Sequence, residues 1–274
     1  MIKIFTDHPE HFKVPYTKFH FPGGELQVRV PDLSLLTSHN TVTLHWTYES
    51  DAELVELALL SDAIKHMHGG TMFLQMDYLP YARQDRVCSK GESFALDVFA
   101  QLINTLKFDL VICADPHNQD KFMQLFQNGL YQDQAVACDD VVSEKLGWMH
   151  VDYILFPDEG AKKKINQYVD ILHDFAIGTA IGTKVRNPDT GVLTGFDINK
   201  QDFRGANVLI VDDICDGGGP FLGLGAVAKA RNCGKLSLFT THGIYSKGLV
   251  ALEALFDGGV YCAYNRINLN VKDK

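Results

Sequence analysis

The sequence has few cysteines, and none of them is paired in a metal-binding or redox pattern. Six cysteines are spread over 274 residues, and no two of them form a C-x-x-C motif. This spacing argues against a structural zinc site and against a dithiol redox centre. It is typical of a protein in a reducing compartment, so we expect a cytoplasmic location.

Long apolar runs and an excess of positive charge are also missing. No stretch reaches the roughly 18 apolar residues of a membrane-spanning helix, and the amino-terminal MIKIFTDHPEHF has charges where a targeting signal has an apolar core. We therefore expect no membrane partner. There are 25 Lys and Arg against 34 Asp and Glu, a formal net charge of −9. This balance argues against nucleic acid as the main partner, but it is compatible with a local basic pocket for a phosphorylated substrate.

The first half of the chain alternates strand and helix patterns. A β-rich run at 41–46 is followed by apolar residues at helical spacing from Leu54 to Met67, and Gly69 and Gly70 then end the helix. Ser50 and Glu53 form the pattern of a capping box at its start. Another strand pattern follows at 72–76. Strand, helix and strand in this order predict a βαβ unit with a parallel sheet.

The second half repeats this organisation. After a stretch with weak periodicity at 130–149, a strand is predicted at 153–156, a helix-like run continues to about residue 172, and a further strand is predicted at 175–181. We therefore predict an α/β fold with an amino-terminal domain at 1–142 and a carboxyl-terminal domain at 143–274. The length suits two domains of ordinary size.

The most informative stretch is 207–222, NVLIVDDICDGGGPFL. Its apolar run at 208–211 is typical of a parallel strand buried on both faces. Acids and glycines follow where that strand is expected to end, and they are Asp212, Asp213, Asp216, Gly217, Gly218 and Gly219. A glycine loop before a helix aims backbone N–H groups at an anion, and the carboxylates can accept hydrogen bonds from hydroxyl groups. The pattern favours a sugar phosphate site, and the alternative is an ordinary turn whose acids cap the helix.

Two further polar segments follow predicted strands. DYLPYARQDRVCSKGESF at 77–94 contains Arg83 and Gln84, whose side chains suit phosphate oxygens and a purine edge; the alternative is a solvated charged loop. Asp115, Pro116 and His117 follow a strand predicted at 109–114, where a histidine can bind a metal ion or a phosphate, although a packed or surface histidine is the commoner case.

Two other segments each allow two interpretations. Phe21 and Glu25 flank the Gly23–Gly24 turn of a predicted hairpin. One interpretation is that they are an ordinary hairpin residue and a solvated acid; the other is that a ligand binds there. In the polar stretch at 182–202, Lys184 and Arg186 point to the same side if the chain is extended. Two cations on a mobile loop can close over a triphosphate. The alternative is an exposed hairpin, because NPDTG at 187–191 is a turn sequence.

These segments together resemble the ribose-phosphate pyrophosphokinases, a family within the type I phosphoribosyltransferase superfamily. The matching motifs occur in the family's order, and they are FPGGE, PYARQDR, DPH, FPDEG, KVR, VDDICDGGGPF and THGIYS. The resemblance implies two tandem phosphoribosyltransferase-like domains, each a mainly parallel sheet flanked by helices. The amino-terminal domain is expected on the ATP side and the carboxyl-terminal domain on the ribose 5-phosphate side.

The resemblance also implies a reaction and a role for each residue. The reaction transfers the β,γ-diphosphoryl group of ATP to the C1 hydroxyl of ribose 5-phosphate, with Mg²⁺ as cofactor. By this resemblance Lys184 and Arg186 are catalytic; Phe21, Glu25, Arg83 and Gln84 bind ATP; His117 and Asp158 bind the metal; and Asp212, Asp213 and Asp216 to Gly219 bind ribose 5-phosphate. Because Phe21 and Glu25 serve the nucleotide of a neighbouring subunit in the family, a homo-oligomer, at least a dimer, is expected. The alternatives are a catalytically silent regulatory subunit and a phosphoribosyltransferase that consumes phosphoribosyl pyrophosphate.

The sequence departs from the family pattern at two places. The family's F-x-D-G-E turn has its Asp replaced by Gly23, and the family's D-T-x-G-T loop is D-G-G-G-P here. Both loop hydroxyls are therefore absent, and Pro220 has no N–H group. We expect the phosphate to be held by the backbone N–H groups of Gly217 to Gly219.

Overall fold

The structure is a computed structural model that describes residues 1–7, 13–32, 34–37, 39–165, 178–186 and 193–266. The chain divides into two compact units, residues 1–132 and 133–274. Each unit has its own sheet and helices, so the predicted α/β fold is confirmed. No helix in these described ranges is both long enough and apolar enough to cross a membrane.

The first unit contains a six-stranded sheet and a separate hairpin. Its strands are β1 (Ile2–Thr6), β2 (Lys13–Val14), β3 (Thr17–His20), β4 (Leu26–Arg29), β5 (Thr41–Trp46), β6 (Thr71–Met76), β7 (Leu110–Ala114) and β8 (Gly129–Gln132). Its helices are α1 (Ser34–Thr37), α2 (Glu53–Lys65), α3 (Ala95–Thr105) and α4 (Gln119–Leu125). The sheet order is β2-β1-β5-β6-β7-β8, and β3 and β4 form the hairpin.

The strands β5 to β8 are parallel and follow one another in chain order. Right-handed crossovers between strands in this order place the connecting helices on the same face of the sheet. The core agrees, because alternate strand residues such as Leu44 and Leu74 pack in one cluster with Leu57 of α2, Phe99 of α3 and Phe122 of α4. The predicted βαβ unit is therefore confirmed.

The predicted capping box at α2 is wrong. The residue that precedes the helix is Ala52, and no side chain caps the amino end. The Glu53 carboxylate accepts hydrogen bonds from the Trp46 indole at 2.9 Å and from the Glu49 backbone N–H at 2.8 Å, and it pairs with the amino-terminal ammonium group. These partners, which come from β5 and the chain terminus, replace the reciprocal contact with Ser50.

The second unit also contains a six-stranded sheet. Its strands are β9 (Tyr153–Phe156), β10 (Gly178–Arg186), β11 (Leu193–Ile198), β12 (Val208–Cys215), β13 (Leu236–Gly243) and β14 (Gly259–Asn265). Its helices are α5 (Gln134–Lys145), a 3-10 helix (Trp148–His150), α6 (Glu159–Ile165), α7 (Gly219–Ala230) and α8 (Val250–Leu255). The order is β11-β10-β9-β12-β13-β14, and all neighbours are parallel except β10 and β11.

Helices cover both faces of this second sheet. One core cluster joins strand residues such as Phe156 and Val211 to residues of α5 and α6. The other joins Leu155 and Ile210 to residues of α7 and α8. Alternate residues of each strand thus face opposite helix layers, which explains why the run at 208–211 is apolar throughout.

Several element bounds differ from those predicted. The unit boundary lies after residue 132 rather than 142, because α5 packs against α6 and the second sheet. Strand β12 continues through Asp212 and Asp213 to Cys215, because β13 pairs with it along that length. The predicted continuation of the helix at 166–172, the start of the strand at 175–177 and the turn at 187–191 lie outside the described residues.

Candidate functional site

The second unit has a topological switch point between β9 and β12. The sheet extends from β9 through β10 on one side and from β12 through β13 on the other. In parallel α/β sheets, the loops at such a point leave in opposite directions and open a crevice at the carboxyl ends of the strands. Asp158 follows β9 at this edge, and Asp212, Asp213 and the glycine loop lie on or after β12. The structure therefore brings these predicted residues to one edge of the second sheet.

Asp158 caps a helix and contacts a predicted catalytic lysine. One carboxylate oxygen, Oδ1, accepts a hydrogen bond from the Ala161 N–H of α6 at 3.1 Å. The other, Oδ2, lies 3.4 Å from Lys184 Nζ, and the two side chains are 50% and 38% exposed. An ion pair this long and this exposed contributes little stability, so both groups remain available to a ligand.

The two acids on β12 have different environments. Asp213 is buried, and its Oδ2 lies 3.0 Å from Lys164 Nζ of α6 in an ion pair whose side chains are 7% and 13% exposed. Asp212 is partly exposed, and one of its oxygens accepts the Asp213 N–H at 2.9 Å. Removal from water, together with the neighbouring Asp213 carboxylate, raises the pKa of Asp212. The Asp212 carboxylate therefore holds its negative charge less firmly than an ordinary aspartate does.

The glycine loop between β12 and α7 is held by hydrogen bonds to the segment that follows β13. Ser246, which follows β13, donates its hydroxyl to Asp216 Oδ1 at 2.6 Å and its backbone N–H to the Asp216 carbonyl at 3.2 Å. Gly218 has φ = +74° and precedes α7, and Pro220 occupies its first turn. Glycine is required for this left-handed residue, and proline fits the first turn because N–H groups there lack intrahelical partners.

Lys184 and Arg186 lie on β10 rather than in an irregular loop. Lys184 is opposite Phe196 and Arg186 is opposite Leu193 in an antiparallel pair with β11. The described residues therefore form the arms of a hairpin, which is the alternative that the NPDTG turn sequence favoured. Lys184 and Arg186 are two residues apart on one strand, as the extended interpretation required.

In the first unit, the structure places the predicted ATP segment and His117 at neighbouring strand ends. Arg83 and Gln84 lie in the connection after β6, and His117 follows β7, which is the next strand in the sheet. The Asn118 amide donates to Asp85 Oδ2 at 2.7 Å, so the two connections are bonded to each other. The side chains of Arg83, Gln84 and His117 are exposed, which is the state that a ligand-binding edge needs.

The predicted ATP segment is held in a strained backbone conformation. Tyr81, two residues before Arg83, has φ = +62°, which is unfavourable for a residue with a side chain. Its hydroxyl donates to Asp51 Oδ1, and the Tyr48 hydroxyl donates to the same oxygen at 2.6 Å. These bonds, which also lower the pKa of Asp51, fix the segment against the end of β5.

Phe21 and Glu25 lie at the exposed tip of the β3–β4 hairpin. The Phe21 N–H donates to the Glu25 carbonyl at 2.9 Å, and Gly24 has φ = +97°. A Cβ atom at Gly23 would lie 2.6 Å from Glu25 Oε2, so the carboxylate folds over the position of the missing family Asp side chain. Phe21 is 49% exposed, although its ring contacts that of Phe19. The tip is therefore accessible to another molecule.

Two described features lie outside the predicted site. A cavity of about 480 Å³ in the first unit is lined by Phe5, Thr43, His45, Phe73, Gln75 and their neighbours, and it includes none of the predicted residues. Among the described residues, no group of three or more His, Cys, Asp and Glu side chains is arranged to hold a metal ion.

Sequence analysis missed Lys164 and the role of Ser246. Lys164 is the last of three consecutive lysines, and nothing in that run distinguishes the one that pairs with Asp213. Ser246 lies in the THGIYS motif, but its contact with Asp216 joins residues 30 positions apart. The only available signal was the motif itself, which places a hydroxyl after the end of β13.

The chain is similar to curated proteins named ribose-phosphate pyrophosphokinase. It is 29% identical over 238 residues to the protein of Pyrococcus abyssi, covering 84% of this chain and 76% of that one. It is also 29% identical over 246 residues to that of Pyrococcus furiosus, covering 87% and 82%, and 24% identical over 263 residues to that of Saccharolobus solfataricus, covering 93% and 84%. No family model matches the chain.

A solved structure supports the fold. The phosphoribosylpyrophosphate synthetase of Mycobacterium smegmatis superposes with a TM-score of 0.70 and 18% sequence identity, covering 90% of this chain and 79% of that one. The resemblance to ribose-phosphate pyrophosphokinases that the motifs indicated is thereby confirmed, and so is the fold it implied.

Proposed function

We propose that this chain is a ribose-phosphate diphosphokinase, which transfers the β,γ-diphosphoryl group of ATP to the C1 hydroxyl of ribose 5-phosphate and releases AMP. The observation that carries the proposal is similarity to proteins named for this activity over 84% to 93% of the chain. The order of the seven motifs supports it. We further propose a cytoplasmic homo-oligomer whose substrates are ATP and ribose 5-phosphate.

The reaction needs positioning and charge stabilisation more than covalent catalysis. In the second unit, Asp212 and Asp213 are suited to accept hydrogen bonds from ribose hydroxyls, and the Asp216–Gly219 loop is suited to the 5-phosphate. Lys184 is exposed and only weakly paired, so its ammonium group is available to stabilise charge that develops on the transferred group. We assign Arg186 the same role.

The first unit is proposed to bind the nucleotide. Arg83 and Gln84 are exposed at the end of β6 and are assigned to ATP. Phe21 and Glu25, on the exposed hairpin tip, are assigned to the ATP of a neighbouring subunit. This assignment requires an oligomer, because the hairpin must reach another copy of the chain.

Of the two residues assigned to Mg²⁺, the carboxylate of Asp158 suits that ion as an oxygen ligand. Magnesium prefers oxygen ligands, retains several waters and is commonly held by one or two carboxylates together with substrate phosphates. Asp158 is half-exposed, and within the described residues its Oδ2 has a 3.4 Å contact with Lys184. His117 is exposed at the end of β7 and is the assigned residue of the first unit. Mg²⁺, when bound, neutralises polyphosphate charge.

Release of AMP tests the proposal. The purified chain is incubated with ATP, Mg²⁺ and ribose 5-phosphate, and AMP and phosphoribosyl pyrophosphate are quantified by chromatography and ³¹P NMR. We expect equal amounts of both products, and none without ribose 5-phosphate. Binding of both substrates without turnover would instead identify a silent regulatory subunit. Consumption of phosphoribosyl pyrophosphate with a nucleobase would identify a phosphoribosyltransferase.

Lys184→Ala tests the catalytic assignment. Loss of one positioned charge donor typically lowers kcat by about 10²- to 10³-fold, and we expect a loss of this order with a small change in the KM for ATP. Lys235→Ala is the control, because Lys235 is exposed and precedes β13 at the opposite end of the sheet. Unchanged AMP release by Lys184→Ala would exclude the catalytic role.

A further inference from the structure

The loop proposed for the 5-phosphate has no side-chain donor of its own. Its sequence from Asp216 to Pro220 is D-G-G-G-P, so it offers one carboxylate, which repels an anion, and backbone N–H groups. Pro220 contributes no N–H group. The side chains of Asp212 and Asp213 on the preceding strand are carboxyl groups and add no cation. A phosphate dianion beside these carboxylates needs a cation that the loop does not contain.

A lysine from the next strand end lies against this loop. A Cβ atom built on Gly217 would lie 3.3 Å from the Cδ and Cε atoms of Lys247 and 3.5 Å from its Cγ atom. The Lys247 stem therefore runs along Gly217 in the space that a side chain there would fill. Because Nζ is bonded to Cε, the ammonium group lies beside the loop as well.

The backbone around Lys247 is fixed to the same loop. The N–H groups of Ile244 and Tyr245 donate to the Cys215 carbonyl at 2.9 and 3.1 Å, and that of Ser246 donates to the Asp216 carbonyl at 3.2 Å. The Gly248 N–H closes a turn onto the Tyr245 carbonyl at 2.8 Å. Lys247 is therefore presented by a segment that is hydrogen-bonded to the end of β12 and to the first residue of the loop.

Two of the other lysines near this edge are already paired with acids. Lys164 is paired with Asp213, and Lys184 with Asp158. Within the described part of the chain, Lys247 has no ion pair or hydrogen bond through its ammonium group, and its side chain is exposed. Of these three cations, Lys247 is the one whose charge is not balanced by a carboxylate partner.

We propose that Lys247 binds the 5-phosphate of ribose 5-phosphate and supplies the positive charge that the D-G-G-G-P loop lacks. The proposal rests on the proposed function, since it names a binding residue for that substrate. It predicts a contact to the phosphate alone, so Lys247 should affect binding of ribose 5-phosphate and leave the chemical step and ATP binding unaffected.

Substitution by methionine tests the charge separately from the packing. Lys247→Met keeps an apolar stem over Gly217 and removes the ammonium group. A hydrogen bond to a charged group contributes enough that its loss weakens binding on the order of 10- to 100-fold. We expect the KM for ribose 5-phosphate to rise by this factor, with kcat and the KM for ATP within about twofold of wild type. Lys247→Arg should retain most of the affinity, and Lys235→Met, at the opposite end of the sheet, is the matched control.

A side-chain hydrogen-bond donor introduced into the loop should recover affinity for ribose 5-phosphate that Lys247→Met loses. The backbone of Gly217 is outside the left-handed region, in contrast to that of Gly218, so a side chain at residue 217 causes no backbone strain. In Lys247→Met, the further change Gly217→Thr places a hydroxyl in the loop, where only the flexible end of residue 247 must move. We expect the double variant to recover part of the affinity.

Direct binding separates this proposal from the proposed function. Calorimetric titration of wild type and Lys247→Met with ribose 5-phosphate measures binding without turnover. Weaker binding by the variant supports Lys247 even if AMP is never released, in which case only the proposed function fails. Equal binding by both proteins, or no binding by wild type, overturns the role of Lys247. A loss in kcat with unchanged KM and affinity also contradicts it.

Discussion

Removing the ammonium group of Lys164 should destabilise the second unit far more than removing that of Lys184. Lys164 Nζ lies 3.0 Å from Asp213 Oδ2, and these side chains are 13% and 7% exposed. Lys184 Nζ lies 3.4 Å from Asp158 Oδ2, and these side chains are 38% and 50% exposed. Burial makes the difference, because an unpaired carboxylate away from water retains its desolvation penalty, whereas an exposed one is rehydrated.

The expected magnitudes are well separated. Removing one partner of a buried ion pair typically lowers the unfolding free energy by about 3–5 kcal/mol. For a unit of this size, Lys164→Met should therefore lower the Tm by on the order of 10 °C. Lys184→Met breaks an exposed pair and should change the unfolding free energy by about 0–1 kcal/mol.

The chain has one tryptophan in each unit, which allows the second unit to be followed alone. Trp46 is buried in the first unit, and Trp148 is buried in the second with its indole donating to Asp139 Oδ1 at 2.8 Å. In a Trp46→Phe background, urea unfolding monitored by fluorescence reports on Trp148. All variants are compared in this background, so the effect of Trp46→Phe is common to them.

A double variant distinguishes an unpaired charge from lost packing. Combining Lys164→Met with Asp213→Leu replaces the ion pair by apolar side chains, which is often neutral or stabilising. We expect the unfolding free energy to return to within about 1 kcal/mol of the reference. Binding of ribose 5-phosphate should nevertheless be weakened in the double variant, because Asp213 is absent. A loss below about 1 kcal/mol in Lys164→Met, or equal losses in the Lys164 and Lys184 variants, would refute the inference that the pair is desolvated.

Two further predictions concern the same strand end. Gly218→Ala should lower the unfolding free energy by about 1–2 kcal/mol, because φ at this residue is +74°. The loss should be larger still because the new Cβ atom would lie 3.1 Å from the Leu252 side chain. Gly219→Ala is the control and should be nearly neutral in the same urea assay, because no atom lies within 4 Å of a Cβ atom there. Removal from water and the Asp213 charge raise the pKa of Asp212, so the folded state binds its proton more tightly than the unfolded chain does, and the stability from this group is lost as pH rises through the folded pKa. Asp212→Asn should therefore gain stability relative to wild type as pH rises from 5 to about 9, and urea midpoints that keep a constant difference would contradict this.

Elements with a strong local pattern could be predicted to the residue. The strands at Thr41–Trp46 and Tyr153–Phe156 have the predicted bounds because their apolar residues alone specify a buried strand. The charged residues Asp212 and Asp213 predict an end of strand β12, but the strand continues to Cys215. Inside the strand, Asp213 is paired with Lys164, which comes from α6, 49 residues earlier. No local pattern contains that information.

In the candidate site, too, local motifs could be predicted from the sequence, whereas contacts between distant segments could not. The residue types and their order along the chain predicted which strand ends carry the site, and the sheets place them there. The polar stretch with Lys184 allowed both a mobile loop and an exposed hairpin, because the antiparallel pairing of β10 with β11 depends on two segments of the chain together. Likewise, Ser246 could be associated with its motif, but the hydroxyl contact with Asp216 depends on how β12 and β13 are aligned.

Three lysines at the edge of the second sheet, Lys164, Lys184 and Lys247, differ in how firmly their ammonium groups are paired with carboxylates. We therefore expect the three to have different roles. The Lys164–Asp213 pair is buried, so separating it is costly. We therefore expect Lys164 to remain with Asp213 when a substrate binds. The Lys184–Asp158 pair is exposed and long, so a cation at Asp158 or an anion at Lys184 separates it at little cost in free energy. Binding of metal ion and polyphosphate would therefore free Lys184 as the charge on the transferred group develops. Lys247 needs no such exchange, because its stem lies on Gly217 and no carboxylate in the described chain holds its ammonium group.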